Sequence, residues 1–340
     1  MRIKGLNMKL FALLTFILSM NIQAICVHEK VMSGLEIDQI GEEYQAYIKD
    51  SEGKYKKLNS YFGAGLYDVQ IVHEKVAPED YDDHYIEYYR YKRIQDYLVS
   101  ISEKLERRGY ETSIIGKSLE GRNLYAVKPI NFDPNKKTIV MFGRHHGDEG
   151  TANWIIEGFV NNFFSQDDFF HSQYQILLYP MINPDGAENM TRYNKNGLDL
   201  NRQWSVRLDE SKDESKIINT DLRPYLAFKK NIPIVLDMHG SFTNDFIYRV
   251  KKNFLGTKFF KMQQTFIDLL GQYDIWQNGS YQLSNGHPRM ARIVIIKNFN
   301  LNALTHETPK NIKLNNSNGR TKQDLIEQGR NLFKTVSELY

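Results

Sequence analysis

Cysteine is almost absent. Cys26 is the only one in 340 residues, so no disulfide can form within the chain and stability must come from a buried core. Ile25 and Gln23 fit poorly ahead of a lipid-modified cysteine, which weakens an anchor role for Cys26. An excess of charge is missing as well. The net charge is +3, with lysine and arginine spread along the chain, and this argues against nucleic acid as the main partner. No internal repeat, low-complexity segment or long membrane-spanning apolar run stands out. The apolar content is ordinary, and tyrosine and phenylalanine are plentiful, so disorder is confined to the ends. The length suits one α/β domain of roughly 250 residues plus extras.

The amino terminus reads as a targeting segment. Arg2, Lys4 and Lys9 form a basic region, Leu10 to Ile22 is mostly apolar, and Ile22-Gln23-Ala24 offers a cleavage site. This predicts a signal peptide over 1–24, export to a periplasm or beyond, and no stable membrane span after cleavage. Residues 25–80 read as an amino-terminal extension, whether a prosegment, a small β appendage or part of the main domain, in which Tyr44 to Ile48 and Val69 to Val72 read as strands around a turn at Ser51-Glu52-Gly53. The catalytic part is expected over 81–340.

Within that part the tyrosine-rich stretch from Tyr81 to Tyr97 leads into a helix through Ile94, Tyr97, Leu98, Ile101 and Leu105, stopped by Gly109. Thr112 to Ile115 and Leu124 to Val127 read as a strand pair joined by Gly116 to Arg122. That turn lacks the residue order of a phosphate loop. Thr138 to Phe142 is a buried strand, and Ala152, Ile155, Ile156, Phe159, Val160 and Phe163 carry the spacing of a helix. Tyr174 to Tyr179 is another strand, ending in a turn over Pro180 to Gly186. Residues 205–224 read as a charged loop. Ile232 to Met238 is a strand, Phe259 to Leu270 a helix, Ile293 to Ile296 and Asn302 to Thr305 strands, and Leu325 to Val336 a closing helix. This alternation predicts an α/β fold: a mixed, mostly parallel twisted sheet with helices on both faces.

The chemistry gathers at the carboxyl ends of three strands, where open α/β sheets bind ligands. His146-x-x-Glu149, His239 and Glu307 supply two imidazoles and two carboxylates. A catalytic zinc ion needs three such ligands and an open position for water, and the spare carboxylate can take a proton from that water. Arg192 is a cation available to a developing oxyanion. Asn201-Arg202 pairs an amide with a guanidinium fork, which suits a free carboxylate.

The order His146-x-x-Glu149, Asn183-Pro184-Asp185-Gly186, Arg192, Asn201-Arg202, His239, Tyr281, Glu307 resembles the zinc carboxypeptidases of the carboxypeptidase A type. In detail it is similar to the branch holding cytosolic carboxypeptidases and bacterial murein-peptide amidases. The resemblance covers roughly residues 85–340. It implies one zinc ion held by His146, Glu149 and His239, with Glu307 as general base and acid and Arg192 as oxyanion stabiliser. It also implies that Asn201 and Arg202 bind the substrate's terminal carboxylate, and that Tyr281 closes over the substrate. Arg292 aligns loosely with an arginine of the cytosolic branch and is expected to meet an acidic side chain or the terminal carboxylate. By family spacing His146, not His145, is the ligand, and His306 is structural. The residues after Tyr281 depart from the digestive enzymes, so their side-chain preferences do not transfer. The expected function is hydrolysis of the C-terminal bond of peptides, cell-wall peptides among them. An amidohydrolase on the same fold and a non-catalytic module for peptide ends are the competing readings.

Overall fold

The computed structural model describes residues 89–204, 213–242, 244–310 and 320–340, and before them the backbone of five strands. The chain divides into two units, Met1–Ala77 and Pro78–Tyr340. In the first, β1 (Ala24–His28) pairs in parallel with β5 (Asp68–Val72), while β2 (Leu35–Ile40), β3 (Glu43–Lys49) and β4 (Tyr55–Gly63) form an antiparallel meander. The expected strands at Tyr44 and Val69 fall in β3 and β5. The targeting segment before Ala24 and the turn at Ser51 lie outside the described residues.

The second unit is built on an eight-stranded sheet. Its strands are β6 (Tyr110–Lys117), β7 (Asn123–Pro129), β8 (Lys137–Gly143), β9 (Tyr174–Tyr179), β10 (Ile234–Ser241), β11 (Phe246–Arg249), β12 (Tyr281–Leu283) and β13 (Ala303–Pro309). They lie in the order β12-β11-β13-β10-β8-β9-β7-β6. The centre, from β13 through β10 and β8 to β9, is parallel; β6 and β7 form an antiparallel hairpin, and β11 runs antiparallel to β13. The sheet is therefore mixed with a parallel centre, as the alternating pattern predicts.

Period two along each strand divides the core between the faces. Ile139, Met141, Leu236, Met238 and Leu304 meet the helices α1 (Tyr91–Ser100), α3 (Thr151–Phe163), α7 (Lys258–Tyr273) and α9 (Lys322–Leu339) on one face. Val140, Phe142, Val235 and Ala303 meet α6 (Glu214–Leu226) and α8 (Ala291–Phe299) on the other. The short helices α2 (Ser102–Arg107), α4 (Asp168–Gln173) and α5 (Pro184–Asn189) complete the set among the described residues. None of the described helices is long and apolar enough to cross a membrane.

Local expectations fail at three places, each for a physical reason. Ile293 to Ile296 is helical, not a strand: α8 is buried from Ala291 to Ile296, and a short run apolar on every side carries no period to separate helix from strand. The stretch read as a charged loop over 205–224 contains most of α6. Asp213 caps that helix by accepting from Lys216 N, and Ile218, Leu222 and Leu226, four apart, bury one stripe among charged neighbours. The helix through Ile94 to Leu105 is two helices, broken at Ile101, where φ is -101° and ψ is 0°.

Candidate metal centre and substrate site

Beyond β8 the chain turns sharply through Gly143 to Gly150. Arg144 takes a left-handed φ of 61°, and its buried guanidinium ties the turn by bonding Asn153 Oδ1 at 3.2 Å and the Gly147 carbonyl. Gly147 has no room for a side chain: a Cβ there would lie 2.0 Å from the Gly186 carbonyl carbon. The turn thus rests on the start of α5, where Asn183 caps the helix by accepting from Gly186 N at 2.9 Å. Asp185, fully buried, is clamped by the β6–β7 hairpin through Ser118 Oγ at 2.6 Å, Glu120 N at 2.9 Å and Arg122 Nη1 at 2.7 Å. The Gly116–Arg122 turn therefore serves to hold the metal-loop side of the site.

His146, Glu149 and His239 converge, all buried. His146 Nδ1 lies 2.7 Å from Glu149 Oε1, His239 Nδ1 lies 2.9 Å from Glu149 Oε2, and the two Nδ1 atoms are 3.2 Å apart. Two imidazole nitrogens and a carboxylate facing one point make a donor set that a cation satisfies. The Nδ1–Nδ1 distance is close to the ~3.3 Å edge of a tetrahedron with bonds of about 2.0–2.1 Å, as zinc prefers. Behind each imidazole stands a carboxylate. His146 Nε2 is 3.1 Å from Asp199 Oδ1, and His239 Nε2 is 3.1 Å from Asp237 Oδ1. A hydrogen-bonded carboxylate such as Asp199 orients a metal-binding histidine. The donor set fits zinc.

Glu307 stands across the parallel ladder from His239, in register, so both side chains leave the same face of the sheet. Burial pushes its carboxyl up to about 7; the His239 charge opposes the rise and the Glu149 charge adds to it. Arg192 approaches from the opposite wall, with Nη1 3.3 Å from His146 Nδ1 and 3.9 Å from Glu149 Oε1, and Nη2 2.9 Å from Asp199 Oδ2. Burial alone would raise Asp199, but the His146 hydrogen bond and the Arg192 and Arg202 charges hold it far below the usual carboxylate range. Asn201 accepts from Ala291 N at 2.9 Å, which turns its amide nitrogen toward His239 Nε2 at 3.1 Å. Arg202 Nη1 donates to the Asn201 carbonyl at 3.0 Å.

Arg292 is buried at the start of α8. Both its terminal nitrogens donate to Ser284 O at 3.2 Å, and among the described residues no carboxylate bonds it. Burial lowers its pKa to about 10, opposed by the charges of Asp237, Tyr248 and Glu307. His145 turns away from the donor set toward Asp237 and Trp204. His306 leaves β13 between Thr305 and Glu307, on the face opposite Glu307, and is fully buried, as a structural histidine should be.

Tyr281 is not brought to the site. It pairs with Ile247 and so lies on the face opposite Glu307; it is 43 % exposed, with the Arg249 guanidinium 5.1 Å from its ring. The phenol on the Glu307 face is Tyr248, two residues beyond Phe246, which is the register partner of Glu307. Tyr248 packs edge-on against Phe246 at 4.9 Å, with the Arg292 guanidinium 5.7 Å from its ring. Burial raises its pKa, as does the Glu307 charge, against Arg292, His239 and Arg202. Three groups escaped the sequence reading: Tyr248, Asp199 and Asp237. The last two carried a signal, a carboxylate two residues before Asn201 and another two before His239, where strand alternation returns it to the same face.

Comparison with known proteins agrees with this architecture. Residues 96–247 match the family model described as zinc carboxypeptidase. Among curated proteins the chain is 27% identical over 204 residues to an uncharacterized protein of Zymomonas mobilis, covering 58% of this chain and 50% of that one. It is 25% identical over 178 residues to cytosolic carboxypeptidase 2 of Homo sapiens, covering 48% of this chain and 20% of that one. The chain thus spans half or less of the length of these relatives. Among solved structures, a metallo-carboxypeptidase from Burkholderia cenocepacia superposes with a TM-score of 0.62 at 18% identity, covering 73% of this chain and 68% of that one. One from Pseudomonas aeruginosa, in complex with (2-guanidinoethylmercapto)succinic acid, superposes with a TM-score of 0.61 at 19% identity, covering 90% and 80%. At those identities the superpositions speak for the fold alone; residues 96–247 are similar to the zinc carboxypeptidase family, and the donor set brought together within them fits zinc.

Proposed function

We propose that the chain is a zinc-dependent metallocarboxypeptidase that hydrolyses the C-terminal peptide bond of peptides. The observation that carries this reading is the ladder position of Glu307, which sets a carboxylate outside the donor trio beside His239 on one sheet face. Zinc held by His146, Glu149 and His239 would supply a Lewis acid for the scissile carbonyl and acidify a water molecule. Glu307 takes the proton from the attacking water and passes it to the leaving amine, work for which a carboxyl pushed up to about 7 is suited. Arg192 donates to the oxygen that gains negative charge. Asn201 and Arg202 bind the terminal carboxylate through an amide and a guanidinium. Arg292 adds a second buried cation for that carboxylate or an acidic side chain, and Tyr248 takes the substrate-covering place expected of Tyr281. The basic and apolar amino terminus supports export, and with it cell-wall peptides as one substrate class.

The test is hydrolysis by the purified protein, with and without a zinc chelator, of free-acid peptides, their C-terminal amides and murein stem peptides. Chelator-sensitive release from free acids but not amides is expected. Release from stem peptides alone would move the assignment to a murein amidohydrolase. Glu307→Gln should retain zinc and lose turnover; full activity in that variant would end the reading.

A further inference from the structure

We propose that Glu214 is a positioning residue for the substrate site: it grips Asn194 at the tip of the loop from Arg192 to Asp199, and so sets Arg192 on one side and Asn201-Arg202 on the other. This rests on the reading of Arg192 as the oxyanion donor and of Asn201 and Arg202 as the carboxylate clamp.

The loop is closed at its base and braced at its tip. At the base, Arg192 Nη2 donates to Asp199 Oδ2 at 2.9 Å, and Asp199 Oδ1 accepts from Asn201 N at 2.9 Å. At the tip, Asn194 organises a tight turn. Its backbone N–H donates to Leu198 O at 3.1 Å, and its carbonyl accepts from Gly197 N at 2.9 Å. Its side-chain oxygen accepts from Asn196 N at 3.1 Å and from Leu198 N at 3.0 Å. Gly197 takes a left-handed φ of 72°, which lets the chain reverse there. Two N–H groups claim the Asn194 oxygen, so the amide nitrogen is the donor left over. It points to Glu214 Oε2 at 2.8 Å. Asn194 and Glu214 are both buried.

Glu214 joins three pieces of the structure. Its other oxygen, Oε1, accepts from Leu119 N at 3.2 Å, in the β6–β7 turn that also clamps Asp185. Its own backbone begins α6. The next residue, Ser215, is buried and donates through Oγ to Leu200 O at 2.9 Å, immediately before Asn201. The first turn of α6 thus holds the segment on both sides of Asp199. Two other contacts hold the loop less firmly. Asn183 Nδ2 donates to Arg192 O at 3.3 Å, a long hydrogen bond, and Lys195, more than half exposed, pairs with Glu120 at 2.8 Å. An exposed ion pair contributes little. A buried amide and carboxylate that lose each other forfeit a hydrogen bond and leave polar atoms unsatisfied. Placement of the loop therefore depends most on the Asn194–Glu214 pair.

The pair can be broken and then rebuilt with donor and acceptor exchanged. In Asn194→Asp a second carboxylate faces Glu214. In Glu214→Gln an amide NH2 meets a donor in either orientation, the Asn194 amide or Leu119 N. Each single variant should lower kcat/KM on a free-acid peptide about 10-fold, the scale of one buried hydrogen bond, with zinc affinity by chelator competition unchanged. Each should also lose part of its preference for free acids over C-terminal amides. In the double variant the new amide donates to the new carboxylate, and rate and preference should return close to wild type. A role confined to stability would lower Tm and leave the preference of the folded enzyme as it was, which would overturn the proposal. A double variant as impaired as the singles would overturn it too. If a single variant does not fold, Ser215→Ala tests the same turn of α6: the preference should fall about threefold, and an unchanged preference would refute the proposal. A wild-type protein that hydrolyses no free-acid peptide would instead sink the reading on which it rests.

Discussion

Tyr248 and Tyr281 show how one side chain's placement decides a role. Both are tyrosines near the sheet edge, but strand register sends them to opposite faces. Tyr248 leaves the sheet on the Glu307 face, whereas the Tyr281 ring meets Arg249. Tyr248→Phe should lower kcat/KM by roughly 10-fold, about 1.4 kcal/mol and within the range of one ordinary hydrogen bond, while Tyr281→Phe should change it less than twofold. Steady-state kinetics on a single free-acid peptide separates the two, and a reversed ranking would restore Tyr281. His146, Glu149, His239 and Glu307 were legible in the sequence because their residue types are rare in combination and each follows an apolar strand. Tyr248 was not, because register between β11 and β13 is a property of two segments far apart in the chain.

At the scale of elements, the site depends on helices that approach unusually closely. Gly158 in α3 and Gly329 in α9 face each other's backbones: a Cβ on Gly158 would sit 2.0 Å from Ile326 O, and one on Gly329 would sit 2.1 Å from Ile155 O. In an exposed helix Gly→Ala gains about 0.5–1 kcal/mol. Here overpacking against rigid backbone, on the order of 1–3 kcal/mol or more, outweighs that gain. Gly158→Ala should therefore lower the urea midpoint, and a raised midpoint would show that the two helices part at little cost. Elements with a clear period, such as α3 and α7, could be read directly, and buried strands such as β8 and β9 were betrayed by short β-branched or aromatic runs. α8 could not be read, because Ile293 to Ile296 is buried on all sides and shows no stripe, and α6 hid its Ile218–Leu222–Leu226 stripe among charges. The clamp on Asp185 was also beyond reach, since it joins Ser118 and Arg122 to a turn more than sixty residues away.

For the whole molecule, zinc is a ligand that binds the folded Pro78–Tyr340 unit and not the unfolded chain. At a free concentration of 100 times Kd it should add about 2.7 kcal/mol, which for a unit of this size corresponds to a rise in Tm of roughly 5–10 °C. Calorimetry with added zinc and then with excess chelator measures this directly. A Tm indifferent to zinc would mean that the donor set does not close on the ion. No cysteine bridge can form within the chain, since Cys26 is its one cysteine, and zinc held by His146, Glu149 and His239 would tie the loop that joins β8 to α3 to the end of β10.

The pairing of His239 with Glu307 also bears on how such a sequence can change length. Adding or deleting one residue inside β13 upstream of Glu307 would rotate the strand end by half its period and bring a neighbour such as His306 or Thr308 to the face where Glu307 now stands. Substitutions along β10 and β13 can be absorbed one at a time, whereas a single-residue insertion there exchanges the carboxylate beside His239 for an imidazole or a hydroxyl. Diversification of this chain by insertion is therefore confined to the segments between strands, such as 250–257 and 274–280, where added residues leave the count between ladder partners untouched.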